Sequence, residues 1–250
     1  MFRTTSDCVF EVDEGCLPVN HEHTHHLMKT KSSSRSELPP KSGSKRSENK
    51  QRIRKAILKA ALYLFSKQGF YKTTTRQIAK KARIAEGTMF NYFHTKEDLA
   101  LYFFEQELVG LMDWYHLESD LEDAPLVEKL FGIINHHLER ISPYEDFVGA
   151  VYLRSLQVKS KLSPLGLERR EQALRYLRFI KEILEEAVEK KEIPDKLVEF
   201  GPYGVGLFHL AIITYWLNDC STGKENTLAL LDRCLKMGHS MLFKQGGWDW

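Results

Sequence analysis

At 250 residues the chain is long enough for one large domain or two small ones with a sizeable core. Its 42% hydrophobic and 28% charged residues match an ordinary soluble globular protein; the apolar run 205–217, broken by His209, falls short of the roughly 18–20 residues of a membrane span, and no apolar segment of signal-peptide type follows Met1. The net charge of +2 conceals an asymmetry: residues 29–96 hold 18 Lys+Arg against 3 Asp+Glu, whereas residues 97–250 hold 17 against 26, the electrostatic footprint of a polyanion binder.

Residues 1–47 read as a disordered, basic, Ser-rich tail with few aromatics. His21, Glu22 and His25 spell the HExxH string of zinc proteases, but that motif works only on a helix with a third ligand nearby. No helical periodicity surrounds it, so no metal site is expected. Cys8, Cys16, Cys220 and Cys234 form no CxxC pair and suit a reduced, cytoplasmic setting, the last two as packing residues. No cofactor is expected.

A first helix is predicted over about 48–67, with Ile53, Ile57, Ala60, Ala61, Leu64 and Phe65 on one stripe and Gly69 as its stop. Thr74 with Gln77 makes a capping box for a second helix that runs to about 82 and buries Ile78 and Ala79. Ile84 fills the turn, and a third short helix over 86–92 turns Met89 and, just beyond it, Phe93 inward. Thr95 with Asp98 is a second capping box, opening a long helix from 96 to about 114. Five further helical segments follow, at about 125–140, 144–159, 167–190, 195–217 and 224–243, separated at Pro125, Pro143, Pro164, Pro194 and the cluster Ser221, Thr222, Gly223. Pro202 is expected to kink the helix that contains it. No β-type alternation and no repeat is present, so the fold class is all-α.

Two short helices around a turn suit a helix-turn-helix, whose second helix sits in the major groove while the first crosses the backbone. Thr74, Thr75 and Arg76 stand at a helix N-terminus, where N–H groups and the dipole favour a phosphate, and Arg76 is also a candidate for base contact. Glu86, Gly87, Thr88 and Phe90 are the other base-contact candidates: Gly87 permits close approach, Thr88 can meet a thymine methyl, and Phe90 offers apolar contact. Tyr92, His94, Thr95 and Lys96, at the start of the long helix, are expected to clamp phosphates.

The first helix's LFSKQGF ending, followed by TTTRQIAKKARIAEGTMFNYFHTKEDL, resembles the DNA-binding domain of the TetR family of bacterial transcriptional regulators. The resemblance covers roughly residues 50–100 and departs from the family at three positions: Arg83 stands where a turn glycine is common, Ala85 where Ser or Thr caps the reading helix, and Phe90 where tyrosine is common. It implies a helix-turn-helix domain over residues 48–95 and a helical ligand-binding and dimerisation domain over 96–250. It also implies a homodimer on a palindromic operator in double-stranded DNA, and release when a small molecule binds.

Within that frame, Leu207, Leu210 and Thr214 on one terminal helix and Leu228, Leu231, Leu235 and Leu242 on the next are the dimer-interface candidates. Trp114, His137, Tyr152, Tyr176, Phe179 and Phe208 are the candidates for an effector pocket, whose apolar character suits a lipophilic ligand; His209, Arg154 and Arg178 are further polar candidates. The alternatives are an activator or a global DNA-binding protein and, from another class, a helical enzyme or a protein-interaction module. No nucleophile elbow, phosphate loop or carboxylate pair supports catalysis.

Overall fold

The computed structural model of the protein describes residues 42–117, 120–155 and 170–244, so the HExxH string and nearly all of the tail lie outside the described residues. The described residues form nine α-helices and no strand: α1 (Ser42–Gln68), α2 (Thr75–Lys81), α3 (Glu86–Phe90), α4 (Lys96–Leu117), α5 (Leu126–Ile141), α6 (Glu145–Ser155), α7 (Arg170–Glu189), α8 (Leu197–Asn218) and α9 (Glu225–Lys244). Helix α1 begins six residues before the expected start, and residues 45–50 are an exposed, strongly basic first stretch. Long straight side chains such as Lys45, Arg46, Glu48 and Lys50 lose little rotamer freedom in a helix, so no apolar stripe is needed to extend it. Helix α3 is shorter than expected, ending at Phe90.

The boundaries follow local chemistry. Both capping boxes form: Thr74 Oγ1 accepts from the Gln77 N–H at 3.2 Å, and Thr95 Oγ1 accepts from the Asp98 N–H at 3.1 Å while Asp98 accepts from Thr95 N at 2.9 Å. Helix α2 ends in a Schellman motif, with Arg83 N–H donating to Lys80 O and Ile84 N–H to Ala79 O. Arg83 sits there at φ +57°, in the left-handed region that favours glycine. A side chain in that region costs roughly 1–2 kcal/mol. Helix α8 continues through Pro202, and Gly201 lets it approach α7: an added Cβ would come 2.7 Å from Leu184.

The helix-turn-helix head and the C-terminal body share one core. Ile57, Ala61, Phe65 and Phe70 from the head and Phe103, Phe147, Val151 and Ile212 from the body belong to a single buried cluster. Phe147 stacks on Phe65 with ring centroids 4.8 Å apart and also meets Phe70 and Phe103. A second cluster holds α4, α5 and α7 together through Leu111, Ile133, Phe179, Ile180 and Ile183. Between α4 and α5, Arg140 donates to Glu107 at 2.9 Å, both side chains mostly buried. At the α8–α9 corner, Asp219 accepts from the N–H and hydroxyl of both Ser221 and Thr227, which together hold its carboxyl far below its usual range.

Two expectations change. Cys220 is exposed, so it is no packing residue, whereas Cys234 is half-buried. Helix α8 is, by length and composition, long and apolar enough to cross a membrane; here it packs against α7 and α9 and buries His209, Ile212, Ile213 and Trp216.

Candidate nucleic-acid interface and buried cavity

The outward face of the head is built on a small interior. Ile78, Ala79 and Met89 are buried and Ile84 packs on them, fixing α2 against α3. Lys81 lies 3.6 Å above the Tyr63 ring, holding α2 to α1, and Gln68 Nε2 donates to Gln77 Oε1 at 3.0 Å. That leaves Arg76, Glu86, Gly87 and Phe90 exposed and Thr88 half-buried at its edge. Five of the candidate base contacts therefore lie on α2 and α3 of one short two-helix unit. An added Cβ on Gly87 would meet nothing within 4 Å, so the fold itself does not require glycine there. Ala85 gives α3 no side-chain cap, as its residue type dictates.

The phosphate candidates divide. Thr74 is exposed but its hydroxyl serves the capping box, and Thr75 is half-buried beside it. Tyr92 is half-buried and His94 exposed. The backbone N–H groups of His94 and Thr95 both donate to Asp98, so an internal carboxylate occupies the place expected for a phosphate at the start of α4. Lys96 is turned inward: its ammonium donates to Phe70 O at 2.8 Å and Tyr71 O at 3.3 Å and lies 4.8 Å from the Phe70 ring centre. Here Lys96 thus ties the α1–α2 loop onto α4. The same loop touches the body, where Tyr71 OH donates to Ala150 O on α6 at 3.3 Å. Sequence reasoning missed this tie because its partners are backbone carbonyls, which leave no trace in residue identity.

A cavity of about 420 Å³ opens among α4, α5, α6, α7 and α8. Apolar side chains such as Phe104, Leu108, Val148 and Ile213 line most of it. Of the six predicted pocket residues, His137, Tyr152 and Tyr176 line it and three do not. Trp114 instead stacks flat on His136 at 3.8 Å, Phe179 is buried in the second core, and Phe208 packs on the first. The polar wall is a chain: Tyr176 OH lies 2.7 Å from His209 Nδ1, and His209 Nε2 lies 3.0 Å from His137 Nδ1. Tyr152 and Thr214 hydroxyls form a separate hydrogen bond. Burial holds both histidines neutral, with His137 pushed down to about 4 and His209 also well below the usual imidazole range, and it raises the Tyr176 hydroxyl. Arg178 is exposed and bonds its own helix, so it is not a cavity residue; the side chain of Arg154 lies outside the described residues.

The dimer candidates also divide. Leu207 and Leu210 are exposed and rim the cavity, and Thr214 is half-buried. Leu228 and Leu235 are half-buried, but Leu231 is fully buried within the chain, a core residue and not a contact surface. The Leu242 side chain lies outside the described residues. Phe200 and Tyr203 on α8 and Met237 and Met241 on α9, which sequence reasoning did not single out, are all more than half exposed.

Comparison with known proteins identifies this arrangement. Residues 57–103 match the model of bacterial regulatory proteins of the tetR family, and residues 129–246 match the tetracyclin repressor-like C-terminal domain. The fatty acid metabolism regulator protein of Bacillus subtilis is 26% identical over 142 residues, covering 56% of this chain and 71% of that protein. The crystal structure of the transcriptional regulator FadR from Bacillus subtilis in complex with stearoyl-CoA aligns with a TM-score of 0.58 at 24% identity, over 73% of this chain and 96% of that one. Thermus thermophilus FadR, a TetR-family transcriptional repressor solved with lauroyl-CoA, aligns with a TM-score of 0.54 at 27% identity, over 73% and 92%. The chain belongs to the TetR family: it is a DNA-binding transcriptional regulator with a helix-turn-helix head and a helical C-terminal domain, and not an enzyme.

Proposed function

We propose that the protein is a homodimeric repressor that binds a palindromic operator through α3 and leaves it when a lipophilic effector fills the cavity. The observation that carries this reading is the sharing of α6. Its Val148 and Val151 line the cavity, while its Phe147 stacks on Phe65 of the head and Ala150 receives the Tyr71 hydroxyl bond. A ligand shifts an equilibrium only by its differential affinity for two states, and a wall that also touches the head gives that difference a direct route. Here one helix does both. The exposed apolar residues Phe200, Tyr203, Leu207, Met237 and Met241 on α8 and α9 support burial of this face against a second copy. Two copies set two reading helices about one helical turn of DNA apart, which is why a palindrome is expected.

The likeness to Thermus thermophilus FadR with lauroyl-CoA supports a fatty-acyl thioester as the effector class. The mostly apolar cavity suits the acyl part. The test is fluorescence anisotropy of an operator selected from a random DNA pool, titrated with lauroyl-CoA and with free coenzyme A. Release by lauroyl-CoA alone is the expected result. Failure to enrich any palindrome, or binding that no acyl thioester weakens, would overturn the reading.

A further inference from the structure

The cavity wall carries one feature that apolar packing does not explain. Tyr176 from α7, His209 from α8 and His137 from α5 converge in an unbroken hydrogen-bonded chain, 2.7 and 3.0 Å long at its two links, on the face of a mostly apolar space whose other polar lining residues are Tyr152, Gln172 and Tyr203. No Lys, Arg, Asp or Glu is among the described residues that line that space. Three polar side chains from three helices, His209 buried and Tyr176 and His137 half-buried, cost desolvation unless each finds a partner.

We infer that Tyr176, His209 and His137 form the polar anchor of the cavity, selecting ligands with an uncharged hydrogen-bonding group, a hydroxyl or an ester-type carbonyl, over carboxylates. The inference rests on the reading of the cavity as the effector site. Both nitrogens of His209 are engaged, so proton counting leaves the chain two arrangements. In one, Tyr176 donates to His209 Nδ1 and His209 Nε2–H donates to His137 Nδ1. His137 then keeps Nε2–H as a donor, and the Tyr176 oxygen keeps a lone pair. In the other, His137 Nδ1–H donates to His209 Nε2 and His209 Nδ1–H to the Tyr176 oxygen. The Tyr176 O–H is then the donor, and His137 Nε2 the acceptor.

Either way the chain offers one donor at one end and one acceptor at the other, and reverses by moving protons along it. Such a wall satisfies a carbonyl, which needs a donor, and a hydroxyl, which can take either role. It offers a carboxylate one hydrogen bond and no charged partner in the lining, the Arg140 guanidinium near His137 being already paired with Glu107. An unpaired buried charge is strongly disfavoured. The neutrality that burial imposes on both histidines agrees with this, since an imidazolium would have supplied the missing positive charge.

The experiment is calorimetric titration of the full chain, above neutral pH, with three probes of equal chain length: 1-octanol, methyl octanoate and octanoate. The first two are expected to bind at least about tenfold more tightly than octanoate. Tyr176→Phe, and independently His137→Gln should the first variant fold poorly, are expected to weaken the neutral probes about tenfold and so erase the preference. Tyr215→Phe, which removes an exposed hydroxyl outside the cavity, is expected to keep it. Octanoate binding as tightly as octanol, or an unchanged preference in Tyr176→Phe and His137→Gln, would overturn the anchor while leaving the cavity a ligand site. No binding of any of the three probes to the wild-type protein would overturn the cavity reading and the anchor with it.

Discussion

The head and the body solve opposite problems with the same helical material. The head uses few buried residues, chiefly Ile57, Phe65, Ile78, Met89 and Phe93, to hold a face outward, so its candidate DNA contacts are exposed or half-buried and close in sequence. The body turns its functional side chains inward, and they come from positions as distant as His137 and His209, 72 residues apart. A site made by display is written locally, whereas a site made by enclosure exists only after packing. The two are nonetheless joined through Phe147, which faces Phe65 and Phe70 on one side and Phe103 on the other.

The sharpest way to break that contrast is at the joint. Phe147→Ala should cost about 3–5 kcal/mol by the lost transfer and the cavity left behind. Head and body should lose structure in one transition, read by urea denaturation with probes in each. Separate transitions would mean that the shared core does not couple them. Nearly as large, Arg140→Met leaves the Glu107 carboxylate buried without its partner and should cost about 3–5 kcal/mol. Burial already raises the Glu107 carboxyl against the pull of Arg140, so Glu107→Gln should cost far less at neutral pH. Equal costs in thermal melts would show that the pair is not governed by desolvation.

Acid titration probes the body. His137 is held down to about 4 in the folded protein against an ordinary 6.5. Its contribution to stability is therefore complete above pH 6.5 and is lost as the pH falls toward 4. His137→Gln should flatten the stability profile across that window, read by urea denaturation at a series of pH values. Smaller still, Arg83→Gly should stabilise the head by up to about 1 kcal/mol by relieving the left-handed backbone. The smallest effect expected concerns Lys96. With its ammonium on Phe70 and Tyr71 carbonyls, Lys96→Met should lower the melting temperature but leave the salt dependence of DNA binding unchanged. Arg76→Ala should reduce that slope by about 1.

Much of the head was legible because its determinants are short-range: Thr74 with Gln77, Thr95 with Asp98, and Met89 and Phe93 at helical spacing all act within four residues. Arg83 was legible as a departure, and its φ of +57° is the physical form that departure takes. The tie from Lys96 to the loop was not legible, because a lysine that meets a phosphate and one bonded to loop carbonyls look identical in sequence. In the body, the helices were readable from prolines and periodicity, but the identity of the pocket wall was not. Trp114, Phe179 and Tyr176 are all aromatic, yet only the last lines the cavity, because which face of each helix meets the gap depends on how five helices cross. Leu231 shows the same limit: its apolar stripe is real, but the inward half of it belongs to the chain's own core.

The five-residue α3 deserves one last consideration for what it does not contain. It has no side-chain cap, its Gly87 is not demanded by any neighbour, and Met89 alone of its residues is buried. The reading surface is thus almost decoupled from folding. If α3 reads the operator as proposed, substitutions at Glu86, Gly87 or Phe90 would alter which DNA is preferred at little cost in stability, so a lineage could change its regulatory targets by single steps that each leave a folded protein. On the proposed reading, the part that sets specificity is also the part freest to evolve.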